Sequence, residues 1–223
     1  MAKPWICAIP EIPQDRVIKS SGTALMRSTD SLSIENRATL LKIARFSIQG
    51  GLRHHRALSV NPDDYPETLR VSRATFVTLE IGGQLRGCIG ALTAYQPLVQ
   101  DVAVHAYAAA FEDPRFPELR EEEFPKLEVY ISVLSPPEPL QFGSEQELLA
   151  QLRPGVDGLI LHFGHHRGTF LPSVWEQLTE PTVFLAHLKQ KAGLPAHFWA
   201  PEIRVERYTT EYFGDADVAA SSA

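Results

Sequence analysis

Apolar residues recur every three or four positions at Leu40, Leu41, Ile43, Ala44 and Ile48, a spacing that gathers them on one face of a helix. Ser33 offers a side-chain cap for its first turn, and Gly50-Gly51 reads as its stop. The period then changes. Residues 74–81 and 85–91 are short apolar runs on either side of Gly82-Gly83, a glycine pair suited to the positive φ of a tight hairpin turn. Pro97 opens a helix over residues 98–111, whose Ala103, Ala106, Ala108, Ala109 and Ala110 give it a small-residue face for close packing on a sheet. Leu127, Val129, Ile131 and Val133 alternate with Glu128, Tyr130 and Ser132, the period of a half-buried strand.

Ser135-Pro136-Pro137 ends that strand, because paired prolines hold the chain extended and lack amide donors. Beyond it, Ser144 and Glu147 have capping-box spacing ahead of Leu148, Leu149 and Leu152. A short strand is expected over 139–142, a hairpin pairs 159–163 with 169–171, a helix runs over 182–192 to Gly193, and 204–208 returns as a strand. Trp175, Phe170, Phe184 and Trp199 are spaced as core of this second region. The expected architecture is α+β with two lobes, each an antiparallel sheet with helices. It divides into an irregular leader at 1–29, a large lobe from 30–136 plus 201–214, an inserted small lobe at 137–200, and a disordered tail at 215–223.

The 223 residues, 44% of them hydrophobic, suffice for a substantial core, and the formal net charge of -6 gives no general footprint for a polyanion. An RNA substrate would need a local basic cleft, for which Arg53, His54, His55, Arg56, Arg70 and Arg73 are the candidates. Two cysteines, Cys7 in the leader and Cys88 on a strand, exclude a disulfide framework and point to a reducing, cytoplasmic setting. Prolines at 4, 10 and 13 interrupt the leader where a signal peptide would be continuously apolar, and no segment reaches bilayer length.

The chemistry concentrates in Leu85-Arg86-Gly87-Cys88-Ile89-Gly90. Glycines allow close backbone approach, and a guanidinium near a thiol favours the thiolate. On a regular strand Arg86 and Cys88 share a face. Two readings stand side by side: Cys88 is an activated nucleophile, or it is a small core residue beneath an Arg86 paired with a carboxylate such as Asp113 or Glu112. A nucleophile needs a base, and His105 on the alanine-rich helix is the nearest candidate in packing terms. His162, His165 and His166 cluster on the second hairpin, but adjacent turn histidines diverge, so no metal or cofactor is assigned. Asp113-Pro114-Arg115-Phe116 presents either an acid and a guanidinium to a ligand or a rigid, internally paired turn. Glu121-Glu122-Glu123 reads as a solvated face.

The hexapeptide, with Phe76-Val77-Thr78-Leu79 before it, Pro97-Leu98 and Asp113-Pro114-Arg115-Phe116 after it, and Gly155-Val156-Asp157-Gly158-Leu159, Leu171-Pro172-Ser173-Val174-Trp175 and Lys191-Ala192-Gly193-Leu194 farther on, resembles the AMME syndrome candidate protein family. Bacterial members of that family are called AmmeMemoRadiSam system protein A. The agreement runs from about Ser33 to Phe213. The resemblance implies a large lobe built from both chain ends, a smaller inserted lobe, and the LRGCIG segment facing a cleft between them. It also implies a modification system whose other parts are a radical S-adenosylmethionine enzyme and a Memo-like protein. Cys88, Arg86 and, on packing grounds alone since the resemblance supplies no matched histidine, His105 are the catalytic candidates, and Leu85, Gly87, Ile89, Gly90, Asp113 and Arg115 the substrate-binding ones. The function is then an enzyme or enzyme component acting on a macromolecule, RNA or protein, or on a metabolite. The alternative is a non-catalytic module that presents a substrate or partner.

Overall fold

The structure, a computed structural model, describes residues 5–6 and 31–219. Cys7, the rest of the leader and residues 220–223 lie outside the described residues. The chain forms two compact units, Met1–Leu134 with Glu211–Ala223, and Ser135–Thr210.

In unit 1, Trp5–Ile6 forms β1, Ile34–His54 α1, Glu67–Arg70 α2, Thr75–Ile81 β2, Gln84–Gly90 β3, Leu98–Phe111 α3 and Leu127–Leu134 β4. Ser33 caps α1 as expected, its hydroxyl accepting from the Asn36 amide. Gly50-Gly51 does not stop the helix, which continues to His54 and ends at His55 with φ 52°. Gly51 serves close packing instead, since a Cβ there would lie 2.3 Å from the Phe111 ring of α3. Likewise, a Cβ on Gly87 would lie 2.0 Å from the Ala109 carbonyl oxygen, so the alanine face of α3 rests directly on the β3 backbone. The sheet order is β1-β3-β2-β4, followed by the returning strand Thr210–Gly214 (β9), with the β1–β3, β2–β3 and β2–β4 pairs antiparallel. The predicted alternation holds in β4, where Leu127, Val129, Ile131 and Val133 are buried in the unit's core with α1 and α3.

In unit 2, Glu138–Pro139 forms β5, Glu145–Gln151 α4, Gly158–Phe163 β6, His166–Phe170 β7, Pro181–Lys191 α5 and Arg204–Tyr208 β8, in the sheet order β5-β8-β6-β7. The division expected at residue 200 is therefore corrected. β8 lies between β5 and β6, and the Tyr208 hydroxyl donates to the Phe170 carbonyl at 3.1 Å, tying this strand into unit 2. The core packs Trp175 against Phe184, their rings stacked 3.8 Å apart, with Phe170, Leu159 and Val205. Lys189 is fully buried in this unit, its ammonium 2.5 Å from the Glu145 carboxylate and 5.8 Å from the Trp199 ring centre.

The chain returns to unit 1 as β9, Thr210–Gly214, and α6, Asp215–Ala219. A disordered tail from 215 is therefore corrected too. Asp215 pairs with Arg45 and accepts from the Val129 amide at 3.0 Å, which anchors α6 to α1 and β4. In the leader, Trp5 and Ile6 are not irregular, because they pair with Gly90 and Ile89. Among the described residues no helix is long and apolar enough to cross a membrane.

Candidate functional site on the LRGCIG strand

A β-bulge decides how the hexapeptide presents itself. Counting outward from Gly82-Gly83, Ile81 faces Gln84 and Glu80 faces Leu85, but Leu79 faces Gly87. Arg86 is the extra residue. A regular hairpin would set Cys88 across from Val77, whereas the bulge moves it opposite Thr78. Gly87 and Ile89 consequently face α3 and the core, while Cys88 and Thr78 lie on the opposite face of the sheet.

Cys88 is 3% exposed, and its sulfur accepts a hydrogen bond from Thr78 Oγ1 at 3.2 Å. Its backbone is clamped at the outer edge of β3. The Cys88 amide donates to Asp113 Oδ2 at 2.9 Å, and its carbonyl accepts from Arg115 Nη2 at 3.3 Å. Arg115 in turn grips Asp113 through Nε at 3.0 Å and Nη2 at 2.7 Å. Asp-Pro-Arg thus does for Cys88 what a neighbouring strand would do, and both readings of this turn contribute: it is internally paired, and it lies on the cysteine. Burial alone would raise the Asp113 carboxyl, but hydrogen bonds from the Arg115 side chain and from the Cys88 and Arg115 amides, with the Arg115 charge, hold it below the usual range.

Bulging re-aims Arg86 toward the segment after α3. Its Nε donates to Glu123 Oε1 at 2.8 Å, and its Nη2 donates to Glu123 Oε2 at 3.1 Å and to the Pro117 carbonyl at 2.9 Å. The guanidinium carbon sits 5.9 Å from the Phe116 ring centre, which Arg115 approaches to 5.5 Å. The Arg86 side-chain bonds, then the Arg120 amide and both arginine charges, hold Glu123 below the ordinary carboxylate range. Arg86 is 9% exposed, and its Nη1 is buried with no hydrogen-bond partner among the described residues.

His105 does not join this group. Its Nδ1 is 3.0 Å from Thr75 Oγ1 and 3.1 Å from Asp101 Oδ2, and Gln96 donates to the other Asp101 oxygen at 3.1 Å. Thr75 shares the α3 side of the sheet with Val77 and Leu79, so the sheet itself separates His105 from Cys88. Among the remaining histidines, His162 pairs with Glu206 at 2.9 Å and His166 Nδ1 lies 3.0 Å from the Ala192 carbonyl. No group of three or more metal-binding side chains occurs among the described residues.

Sequence reasoning missed two members of the site. Glu123 was grouped with a solvated acidic run, although it is the carboxylate that pairs Arg86 in place of Asp113 or Glu112. Thr78 was visible in the hairpin, but only the bulge brings it opposite the cysteine.

The match to known proteins spans this site and both units: the AMMECR1 family model covers residues 41–213. The chain belongs to the AMMECR1 family. A protein of Methanothermobacter thermautotrophicus is 44% identical over 184 residues, covering 82% of this chain and 95% of that protein. Protein MJ0810 of Methanocaldococcus jannaschii is 34% identical over 190 residues, covering 83% of this chain and 93% of that protein. The crystal structure of the uncharacterized protein PH0010 from Pyrococcus horikoshii is similar with a TM-score of 0.70 at 35% identity, covering 78% of this chain and 89% of that one. The likeness to PH0010 is one of α+β fold as well as of sequence.

Proposed function

We propose that this AMMECR1 chain is a binding or presenting module whose recognition site is the outer side of β3, with Arg86 as its central donor. The observation that carries the reading is the buried Arg86 Nη1, idle inside a network that occupies Nε and Nη2. An unused buried donor costs on the order of 1–3 kcal/mol, which an oxygen of a bound molecule recovers. That oxygen is uncharged. Glu123 already neutralises Arg86 and Asp113 neutralises Arg115, so a carbonyl suits the site better than a phosphate. The net charge of -6 likewise disfavours RNA. In a modification system of the kind the family resemblance implies, such a module presents a substrate to a radical S-adenosylmethionine enzyme or a Memo-like protein, in the cytoplasm.

Titration of the full chain, labelled at its arginine side chains, with N-acetylglycine methylamide and separately with inorganic phosphate tests this by NMR. The amide is expected to shift the Arg86 guanidinium signals at concentrations where phosphate does not. Phosphate acting first, or neither acting, ends the reading.

A second reading keeps Cys88 as the nucleophile of a modification enzyme, with Arg86 and Arg115 as orienting groups. It is favoured by the Thr78 hydroxyl donating to the sulfur, since a hydrogen bond to the charged form favours thiolate over thiol.

A further inference from the structure

The outer edge of β3 is capped in two different ways. At Cys88 the cap consists of the Asp113 and Arg115 side chains, which lie within the family-matched residues 41–213. At Ile89 and Gly90 the cap is a two-residue strand, with Trp5 in register with Gly90 and Ile6 with Ile89, and it lies outside those residues. β3 is thus an edge strand wherever Trp5–Ile6 leaves it, because β2 occupies its other side. Two paired residues supply few hydrogen bonds, so such a strand is held mainly by its tether to the same chain. Gly90 is also fixed as glycine, since a Cβ there would meet the Thr75 carbonyl oxygen at 2.3 Å and the Phe76 ring at 2.4 Å.

We infer that the Ile89–Gly90 edge is a strand-addition site for an extended, uncharged peptide segment of a partner protein, and that Trp5–Ile6 is its resident competitor in the free chain. The inference rests on the recognition reading above and names its ligand. Strand addition takes affinity from main-chain hydrogen bonds, which suits an uncharged segment because both nearby guanidinium groups are already neutralised by Glu123 and Asp113. The direction is antiparallel, as Trp5–Ile6 is to β3. Cys88 would then sit at the boundary between the fixed clamp and the exchangeable strand, its own amide untouched by the exchange.

The test uses the full-length protein and its Trp5→Pro variant, because Trp5 lies opposite Gly90, whose amide and carbonyl point outward, and proline there removes the amide that meets β3. The probe is a fluorescent peptide of residues 1–10 carrying Cys7→Ser, read by polarisation. A tethered competitor acts at an effective concentration of about millimolar, so the variant should bind the probe about tenfold or more tightly than the wild type does. A probe itself carrying Trp5→Pro should not bind. Hydrogen exchange should show the Gly90 amide losing protection in the variant, while Ile89, bonded to β2, and Cys88, bonded to Asp113, keep theirs. Equal binding to both proteins, no binding to the variant, or unchanged exchange overturns the inference. A wild-type dimer that the variant converts to monomer also overturns it, placing the strand in a second copy. Arg86→Lys separates the two proposals: probe binding that survives this change keeps strand addition and removes Arg86 as the central donor.

Discussion

The two faces of the LRGCIG sheet hold two buried carboxylates that do opposite kinds of work. On the α3 side, Asp101 is fully buried and collects Thr75, His105 and Gln96, all local donors that stitch α3 and its preceding loop to β2. On the other side Asp113 binds a charged guanidinium and the backbone of Cys88. Read as a sequence, Cys88, Arg86, Asp113 and His105 formed one candidate site. A single bulged residue divides them, and with them the structural cluster from the candidate recognition site. Chemistry inferred from neighbouring letters on a strand therefore depends on register before it depends on residue type.

The largest effect should come from unequal losses of the two carboxylates. Asp113→Ala leaves the Cys88 amide unpaired and Arg115 without its counter-charge, so urea unfolding should show a loss of about 3–5 kcal/mol. Asp101→Ala strands neutral donors or an imidazole and should cost less, about 1–3 kcal/mol. Equal losses would show that the Arg115 charge contributes nothing to the asymmetry.

The bulge itself can be broken in two ways. Gly87→Ala drives a methyl into the Ala109 carbonyl and should destabilise by about 3 kcal/mol or so, at the upper end of overpacking. Deleting Arg86 should be milder despite removing a residue. Leu85 and Gly87 would become consecutive opposite Glu80 and Leu79, leaving every following partner in place and losing the Glu123, Pro117 and Phe116 contacts of Arg86 with the bulge. A deletion that unfolds the protein while Gly87→Ala is tolerated would refute this account of the register.

The acidic pH arm belongs to the outer face. Asp113 and Glu123 both titrate below their ordinary values in the folded protein. Their stabilisation is therefore complete above the unfolded carboxylate range of about pH 4 and is lost as pH falls through the lower folded values. In Asp113→Ala the melting temperature should fall less steeply between about pH 5 and pH 2 than in the wild type. A wild-type slope in that variant removes Asp113 as the source.

The smallest effects compare the faces through the sulfur. In a Cys7→Ser background, Thr78→Val should shift the pH profile of Cys88 alkylation upward, because the thiolate loses a donor. His105→Gln should leave the profile unchanged, being across the sheet. A His105 effect equal to that of Thr78 would reunite the site. A wild-type rate that rises only near the ordinary thiol value of about 8.5 would remove the activated thiolate altogether.

Much of the fold was legible because local patterns agree with it: the Ser33 cap, the Gly82-Gly83 hairpin, the alanine face of α3 and the alternation of β4. The exceptions have nonlocal causes. Gly51 looked like a helix stop because its partner, Phe111, lies on another helix. β8 carries no mark of which sheet it joins, and its pairing with β5 and β6 and the Tyr208 bond to β7 place it in unit 2. α6 is only five residues long, too short for a helical period to show, and an ion pair with distant Arg45 anchors it. At the site, the residue types were readable and the bulge was not, since an extra strand residue leaves no periodic trace when the sequence on both sides remains apolar. Glu123 was hidden for a simpler reason: two of three successive glutamates are exposed, and nothing in the run singles out the third.

Unit 1 is also assembled out of chain order, which matters during synthesis. Residues 31–134 leave the ribosome before the whole of unit 2, yet their Arg37 and Arg45 are matched by Glu211 and Asp215, which follow it. A nascent chain halted at Thr210 has unit 2 in full and unit 1 still open along the β4 edge that β9 covers. Residues 211–215, translated after unit 2, close the first unit begun, so a stop codon directly after Thr210 should harm the beginning of the protein more than its middle.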